Sequence, residues 1–308
     1  GERILVACAG ATAASEGTLA CFNAEGEGER LVEAWKTLGA PVRRLLAVPG
    51  GRVLAANEAA GLFLIDASSG AYAWEKQLHT DASDIAYAPG LVIAAAGSSL
   101  EAFDESTGAS AWIASMTAKS RSISAGNGIA LVLAESGSLS AFSLADGMGI
   151  GAAPGPFDPA LRPIADGSRA IVALIGGGAA ELDVKSGQTL RSWSWEGTTA
   201  FIAADGERLY AGLNGREGRG ILLAPRAGEA SRRLARLESP AFDSPEAVTG
   251  ARGGLLVFLM DGSLVLVGKE RAPGTAVPSL DAAIAPPPET AAAIASALGR
   301  FKTGEGIE

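Results

Sequence analysis

Along most of the chain, short apolar runs alternate with clusters of Gly, Asp, Asn and Ser at hairpin spacing, the pattern of successive antiparallel strands. The stretch after residue 82 shows this most clearly and predicts strands over Ser83–Tyr87, Leu91–Ala96, Leu100–Asp104 and Ala109–Ala114. Turns between second and third strands fall at Glu58–Gly61, Gly97–Ser99, Glu135–Gly137, Gly176–Gly178 and Asp261–Gly262, where glycine admits the positive φ of a tight hairpin. No helical periodicity is visible between residues 1 and 275.

The strands belong to a repeat. An apolar strand ending in Asp is followed four residues later by Gly and, four after that, by Trp: Leu62–Asp66 leads to Gly70 and Trp74, and Leu100–Asp104 to Gly108 and Trp112. Weaker copies are Leu139–Ser143 with Gly147, lacking both Asp and Trp, and Ala180–Asp183 with Gly187 and a displaced Trp193. Leu19–Asn23 with Trp35 opens the series, and Ile221–Pro225 and Leu264–Gly268 close it. These strand ends recur about every 40 residues and mark seven units. Four short strands per unit predict an all-β fold, a seven-bladed β-propeller of four-stranded antiparallel blades over residues 1–280.

The repeated residues are expected to build the blades. Asp66, Asp104 and Asp183 are placed to accept N–H groups of the following turn, and Gly70, Gly108 and Gly187 to supply its left-handed residue. Trp74 and Trp112 are expected on the outer strands, covering the seams between blades. A residue type that recurs in unit after unit builds the unit rather than serving one site.

The run Leu-Glu-Ala-Phe-Asp-Glu-Ser-Thr-Gly-Ala-Ser-Ala-Trp at 100–112 resembles the tryptophan-docking repeat of the pyrroloquinoline-quinone-like β-propellers. Within that family the chain is nearest in character to the non-enzymatic BamB-like outer-membrane assembly lipoproteins, over roughly residues 3–270 and most specifically in units two, three and five. The resemblance implies a bacterial, exported protein in the periplasm or envelope, with a protein partner and no cofactor, and it brings no activity with it. Gly1–Ala9 carries no leader pattern, so export would rest on an upstream segment, where a lipid anchor would also sit.

Unit one starts on its second strand, Arg3–Ala9, and unit seven reaches Arg271–Gly274 without a fourth. Ala276–Leu280 is expected to supply the missing strand, so that both ends of the chain complete one blade of seven; the competing arrangement has an extra, incomplete blade begun by residues upstream of Gly1. Beyond it, residues 281–308 read as a Pro-rich spacer, Pro286–Pro288, and a short amphipathic helix over Glu289–Phe301 with Ile294, Leu298 and Phe301 on one face.

Composition narrows the chemistry. Two Cys among 308 residues exclude a disulfide scaffold, and a single His lowers the odds of triads, zinc sites and imidazole relays. A net charge of -9 argues against nucleic acid as a partner. Apolar runs such as Leu255–Met260 fall far short of the roughly 18 residues of a membrane-spanning helix.

No catalytic, cofactor-binding or metal-binding residue is expected. His79 lies near Asp81 and Asp84, as a general base would, but follows an outer strand with no nucleophile in view and reads as a surface residue. Cys8 and Cys21 fall on adjacent strands; oxidised, they would pin Ala11–Gly17, and reduced, they would be two small buried side chains. Trp193 and Trp195 share a strand face and read as packing rather than a cofactor floor, and the adjacent cysteine pair of many quinoproteins is absent.

Two arginine sets remain. Arg43, Arg121 and Arg162 fall near inner strands, where Arg44, Asp84 and Glu246 are the other ionisable candidates, and together would either make an anion site in the central channel or simply be solvated there. Arg216, Arg219, Arg226, Arg232, Arg233 and Arg236 make unit six basic in an acidic chain and point to a face for an acidic partner, or to an edge kept from pairing. The reading is a non-enzymatic interaction scaffold of the bacterial envelope. The alternative is a ligand-binding or enzymatic propeller, quinoprotein-like or lyase-like, that uses its channel.

Overall fold

A computed structural model of the chain describes residues 3–8, 17–25, 30–205, 208–215, 218–225, 232–237, 247–251, 254–258 and 264–268. These residues form antiparallel sheets that follow one another along the chain, each a meander in which sequence neighbours pair. The first sheet holds β1 (Arg3–Cys8), β2 (Gly17–Glu25) and β3 (Arg30–Gly39). The second holds β4 (Val42–Val48), β5 (Arg52–Asn57), β6 (Gly61–Asp66) and β7 (Tyr72–Gln77), and the third β8 (Ala82–Ala88), β9 (Leu91–Ala96), β10 (Ser99–Asp104) and β11 (Ser110–Ser115). The fourth holds β12 (Ser120–Gly126), β13 (Ile129–Ala134), β14 (Leu139–Ser143) and β15 (Gly149–Ala153), and the fifth β16 (Ile164–Asp166), β17 (Arg169–Ala173), β18 (Ala179–Asp183) and β19 (Thr189–Trp193). The sixth holds β20 (Thr198–Asp205), β21 (Arg208–Gly215), β22 (Gly218–Pro225) and β23 (Arg232–Leu237), and the last β24 (Ala247–Ala251), β25 (Gly254–Phe258) and β26 (Leu264–Gly268). The residues proposed to close the ring, Ala276–Leu280, and those of the expected helix, Glu289–Phe301, lie outside the described residues.

The sheets stack as blades with their first strands inward: β4, β8, β12 and β16 are successive neighbours. Middle strands are therefore covered on both faces, which explains why they read as continuous apolar runs instead of alternating ones. All six residues of β13, Ile-Ala-Leu-Val-Leu-Ala, are buried. Val92 and Ala94 of β9 pack toward blade two with Leu54, Leu64 and Trp74, while Ile93 and Ala95 pack toward blade four with Ile123 and Val132. Each seam is thus a small core of its own, and alanines let the blades approach closely.

Two bulges recur from blade to blade. Inner strands skip one residue in their pairing at Arg43, Ser83, Arg121 and Ala200. Outer strands skip one at Ala34, Ala73, Ala111, Ile150 and Leu190, just after the turn that leads into each strand. A bulge sharpens strand twist and re-aims the skipped side chain. In the first blade the register sets Cys8 opposite Thr18 and Cys21 opposite Leu5. Three strand positions, about 10 Å, separate the two cysteines along the hairpin, too far for a disulfide without backbone movement.

Candidate functional site

The residues of the repeat meet at the seams. Trp35 Nε1 donates to the Ala67 carbonyl at 3.0 Å, and Trp74 and Trp112 donate to the Glu105 and Leu144 carbonyls at 2.9 Å. In each case the acceptor is the residue just past the third strand of the next blade. The ring lies on that blade's turn glycine: a Cβ on Gly70, Gly108 or Gly147 would come 2.7, 2.8 or 2.6 Å from the indole of Trp35, Trp74 or Trp112. These glycines also have φ near +70°, so the position demands glycine twice over.

Blade four departs from this rule. Gly151 stands where its docking Trp would be, and a Cβ there would run into the Val184 carbonyl, the group that a docked indole would otherwise meet. The seam between blades four and five is therefore closed by backbone against backbone. In blade five Arg191 takes the Trp position opposite Glu181, and Trp193 sits two residues on, buried against Ile171 and Leu209 with the Arg191 guanidinium 5.9 Å from its ring centroid. Trp195 donates to Thr199 Oγ1 at 3.1 Å, so both tryptophans are used in packing and hydrogen bonding.

The turn aspartates cap their own hairpins. Asp66 Oδ1 accepts from the hydroxyls and backbone N–H groups of Ser68 and Ser69, and Asp104 Oδ1 from those of Ser106 and Thr107. The Ser68 hydroxyl, with the other Ser68 and Ser69 donors, holds the Asp66 carboxyl at about 2, and the Ser106 and Thr107 hydroxyls hold Asp104 at about 2, against an ordinary 3.8. Asp183 is lowered by the Ser186 N–H and hydroxyl. Because the folded values lie below the unfolded one, this stabilisation is complete above the unfolded value and is lost as pH falls through the folded value. Thermal melts between about pH 5 and pH 2 should show the wild type losing stability more steeply than Asp66→Ser/Asp104→Ser; parallel curves would contradict the assignment.

Glu105 joins blades two and three. Its carbonyl takes the Trp74 indole, and its carboxylate pairs with Arg52 and accepts from Tyr87 Oη and Gly90 N at 3.0 Å. Burial, then the hydrogen bond to Glu105, raise the Tyr87 phenol above its usual value.

At the inner strands, the position just after the bulge carries charge in blades two and three. Arg44 lies opposite Ala56, Asp84 opposite Ala95, Ser122 opposite Leu133 and Phe201 opposite Gly212, the same place in four blades, and Arg162 lies two residues ahead of β16. Asp84 is the hub, with a side chain 3% exposed. Its Oδ1 takes Arg162 and lies 3.5 Å from Arg44 Nε, and its Oδ2 accepts from Ile123 N at 3.0 Å. Arg44 also donates to the Ser83 carbonyl at 2.9 Å. One buried carboxylate thereby ties four consecutive blades together.

Of the expected channel arginines, Arg162 is thus engaged with Asp84, Arg43 pairs with Glu58 at 3.0 Å, and Arg121 is exposed and makes no ion pair among the described residues. The structure sets Arg43 and Arg121 at equivalent bulges of blades two and four. Glu246, Arg216 and Arg226 lie outside the described residues; Arg219 is on β22 and Arg232, Arg233 and Arg236 on β23, with side chains outside them. His79 is exposed in the loop between β7 and β8. Among the described residues no group of three or more His, Cys, Asp or Glu is placed to hold a metal ion, and no helix is long and apolar enough to cross a membrane. The charged side chains at the inner strands lock blades together, and among the described residues no nucleophile and base meet there.

The family described as outer membrane protein assembly factor BamB matches residues 15–233 of this chain. No curated protein matches it. Among solved structures it is similar to BamB from Moraxella catarrhalis, with 15% identity over 72% of this chain and 71% of that one and a TM-score of 0.54. It is also similar to the computationally designed Ika8 protein, with 12% identity over 85% of this chain and 83% of that one and a TM-score of 0.66. At these identities the likeness is one of fold.

Proposed function

The chain belongs to the family of outer membrane protein assembly factor BamB, β-propellers of PQQ-like repeats, and from that premise we propose that it is a non-enzymatic, seven-bladed interaction scaffold of the bacterial cell envelope. The observation that carries this reading is where the distinctive residues go. Trp35, Trp74 and Trp112 are spent on seams, Asp66, Asp104 and Asp183 on turns, and the buried Asp84 on neutralising Arg44 and Arg162. A propeller so assembled offers its loops, faces and outer edges to partners.

The partner face in this proposal is blade six, where Arg216, Arg219, Arg226, Arg232, Arg233 and Arg236 fall within one unit of a chain whose net charge is -9. An acidic surface is the complement such a face would select, and charge at the rim acts mainly on association rate and salt dependence. Affinity capture from envelope fractions tests it. Arg232→Glu/Arg233→Glu/Arg236→Glu should lose a partner that the wild type retains at low salt and releases at high salt; unchanged recovery would remove blade six from the proposal. The channel reading has one observation in its favour: Arg121, at an inner-strand bulge, makes no ion pair among the described residues.

A further inference from the structure

Among the described residues, the outer strands β3, β7, β11, β15, β19 and β23 each leave one row of backbone N–H and C=O groups without a strand partner, and proteins commonly guard such edges with charge. Most edges here are guarded: β3 carries Arg30, Glu33 and Lys36, β7 carries Glu75 and Lys76, β19 carries Arg191, and β23 carries three arginines. β11, Ser-Ala-Trp-Ile-Ala-Ser, and β15, Gly-Ile-Gly-Ala-Ala, carry no charge. β15 runs into Pro154 and Pro156, which cannot donate to a ladder, and its Gly151 is closed against blade five. Among these described outer strands β11 is the open one, and Ile113 on it is 60% exposed.

A second observation lies under the same spot. Ile113 pairs across the strands with Glu101 of β10, so the two side chains share a face. Glu101 is only 6% exposed, and its Oε1 has no hydrogen-bond partner among the described residues. The edge therefore combines an unguarded backbone, an exposed apolar anchor and a buried carboxylate oxygen that lacks a donor.

We propose that β11 is a docking edge for an extended segment of a partner protein, which adds as a fifth strand to blade three, sets an apolar side chain against Ile113 and supplies a basic side chain to Glu101. The unpaired backbone row selects an extended chain, since only a strand satisfies it continuously. The charge selects a basic one: the protein carries -9, and a second copy would bring the same excess. The residue opposite Ile113 on the added strand carries the apolar side chain; the arginine sits two residues along on the same face, about 12 Å from Glu101, a gap that an arginine and a glutamate span together. The proposal rests on the scaffold reading but concerns a different blade from the basic face, so either can fail alone.

The test uses the full chain and a ten-residue peptide alternating valine and threonine with one arginine, titrated by calorimetry. Saturable binding is expected, weakened by about tenfold or more in Ile113→Lys, which restores the charge that other edges carry, and unchanged in Tyr72→Lys on the guarded β7. Glu101→Gln should weaken the arginine peptide and leave its norleucine counterpart unaffected. Methylating alternate backbone nitrogens of the peptide should abolish binding. Absence of binding, indifference to Ile113→Lys, or self-association of the chain that Ile113→Lys removes would each overturn the proposal, the last by making a second copy the occupant.

Discussion

Trp112→Ala is expected to destabilise the protein by about 3–5 kcal/mol, the range for truncating a large buried aromatic. Trp112 is buried among Ile123, Val132 and Phe142, so its removal opens a cavity between blades three and four. It also strands the Leu144 carbonyl and uncovers Gly147, both of which belong to the neighbouring blade. The loss therefore falls on the joint between two repeats, where the stability of a repeat protein depends on nearest-neighbour contacts. Trp112→Phe separates the two contributions: it keeps most of the ring and loses the indole N–H, and should recover all but about 1–2 kcal/mol. Urea unfolding monitored by circular dichroism measures both. If Trp112→Ala stayed within about 1 kcal/mol of the wild type, the seam role of the tryptophan would be wrong.

The seam was legible in the sequence because its parts keep a fixed spacing. Asp66, Gly70 and Trp74 repeat as Asp104, Gly108 and Trp112, and each third strand ends close to the position that the repeat marks. That the indole of one blade lies on the glycine of the next was not legible, since the two are separated by a whole blade. Blade four shows the same limit. Its missing Trp is plain in the sequence, yet the consequence, Gly151 closing on the Val184 carbonyl, depends on a backbone approach that no local pattern encodes. The hairpin of Cys8 and Cys21 was visible, but its register was not, and register decides that the two do not face each other. Among the candidate site residues, Arg44, Asp84 and Arg162 could be placed near the axis one by one. Their union could not, because Arg162 and Asp84 are 78 residues apart and meet only through the inner bend of consecutive blades.

That union sets the second large effect. Asp84→Ala should cost about 2–4 kcal/mol: the buried Ile123 N–H loses its acceptor, and Arg44 and Arg162 lose the one carboxylate between them. The arginine side chains are 37% and 45% exposed, so part of their charge turns to water, which keeps the cost below that of breaking a fully buried pair. Asp84→Asn divides the remainder. An amide oxygen can still accept from Ile123 N, so recovery of about half the loss would assign that half to the backbone bond and the rest to charge. Freed of Asp84, Arg44 and Arg162 become unopposed cations side by side at the inner strands. Inorganic phosphate should then raise the melting temperature of Asp84→Asn more than that of the wild type, through binding to the folded state. An equal response in both would show that the hub only locks blades together. A larger response in the wild type would mean that the anion already has its place with Asp84 present, and that the channel is itself a binding site.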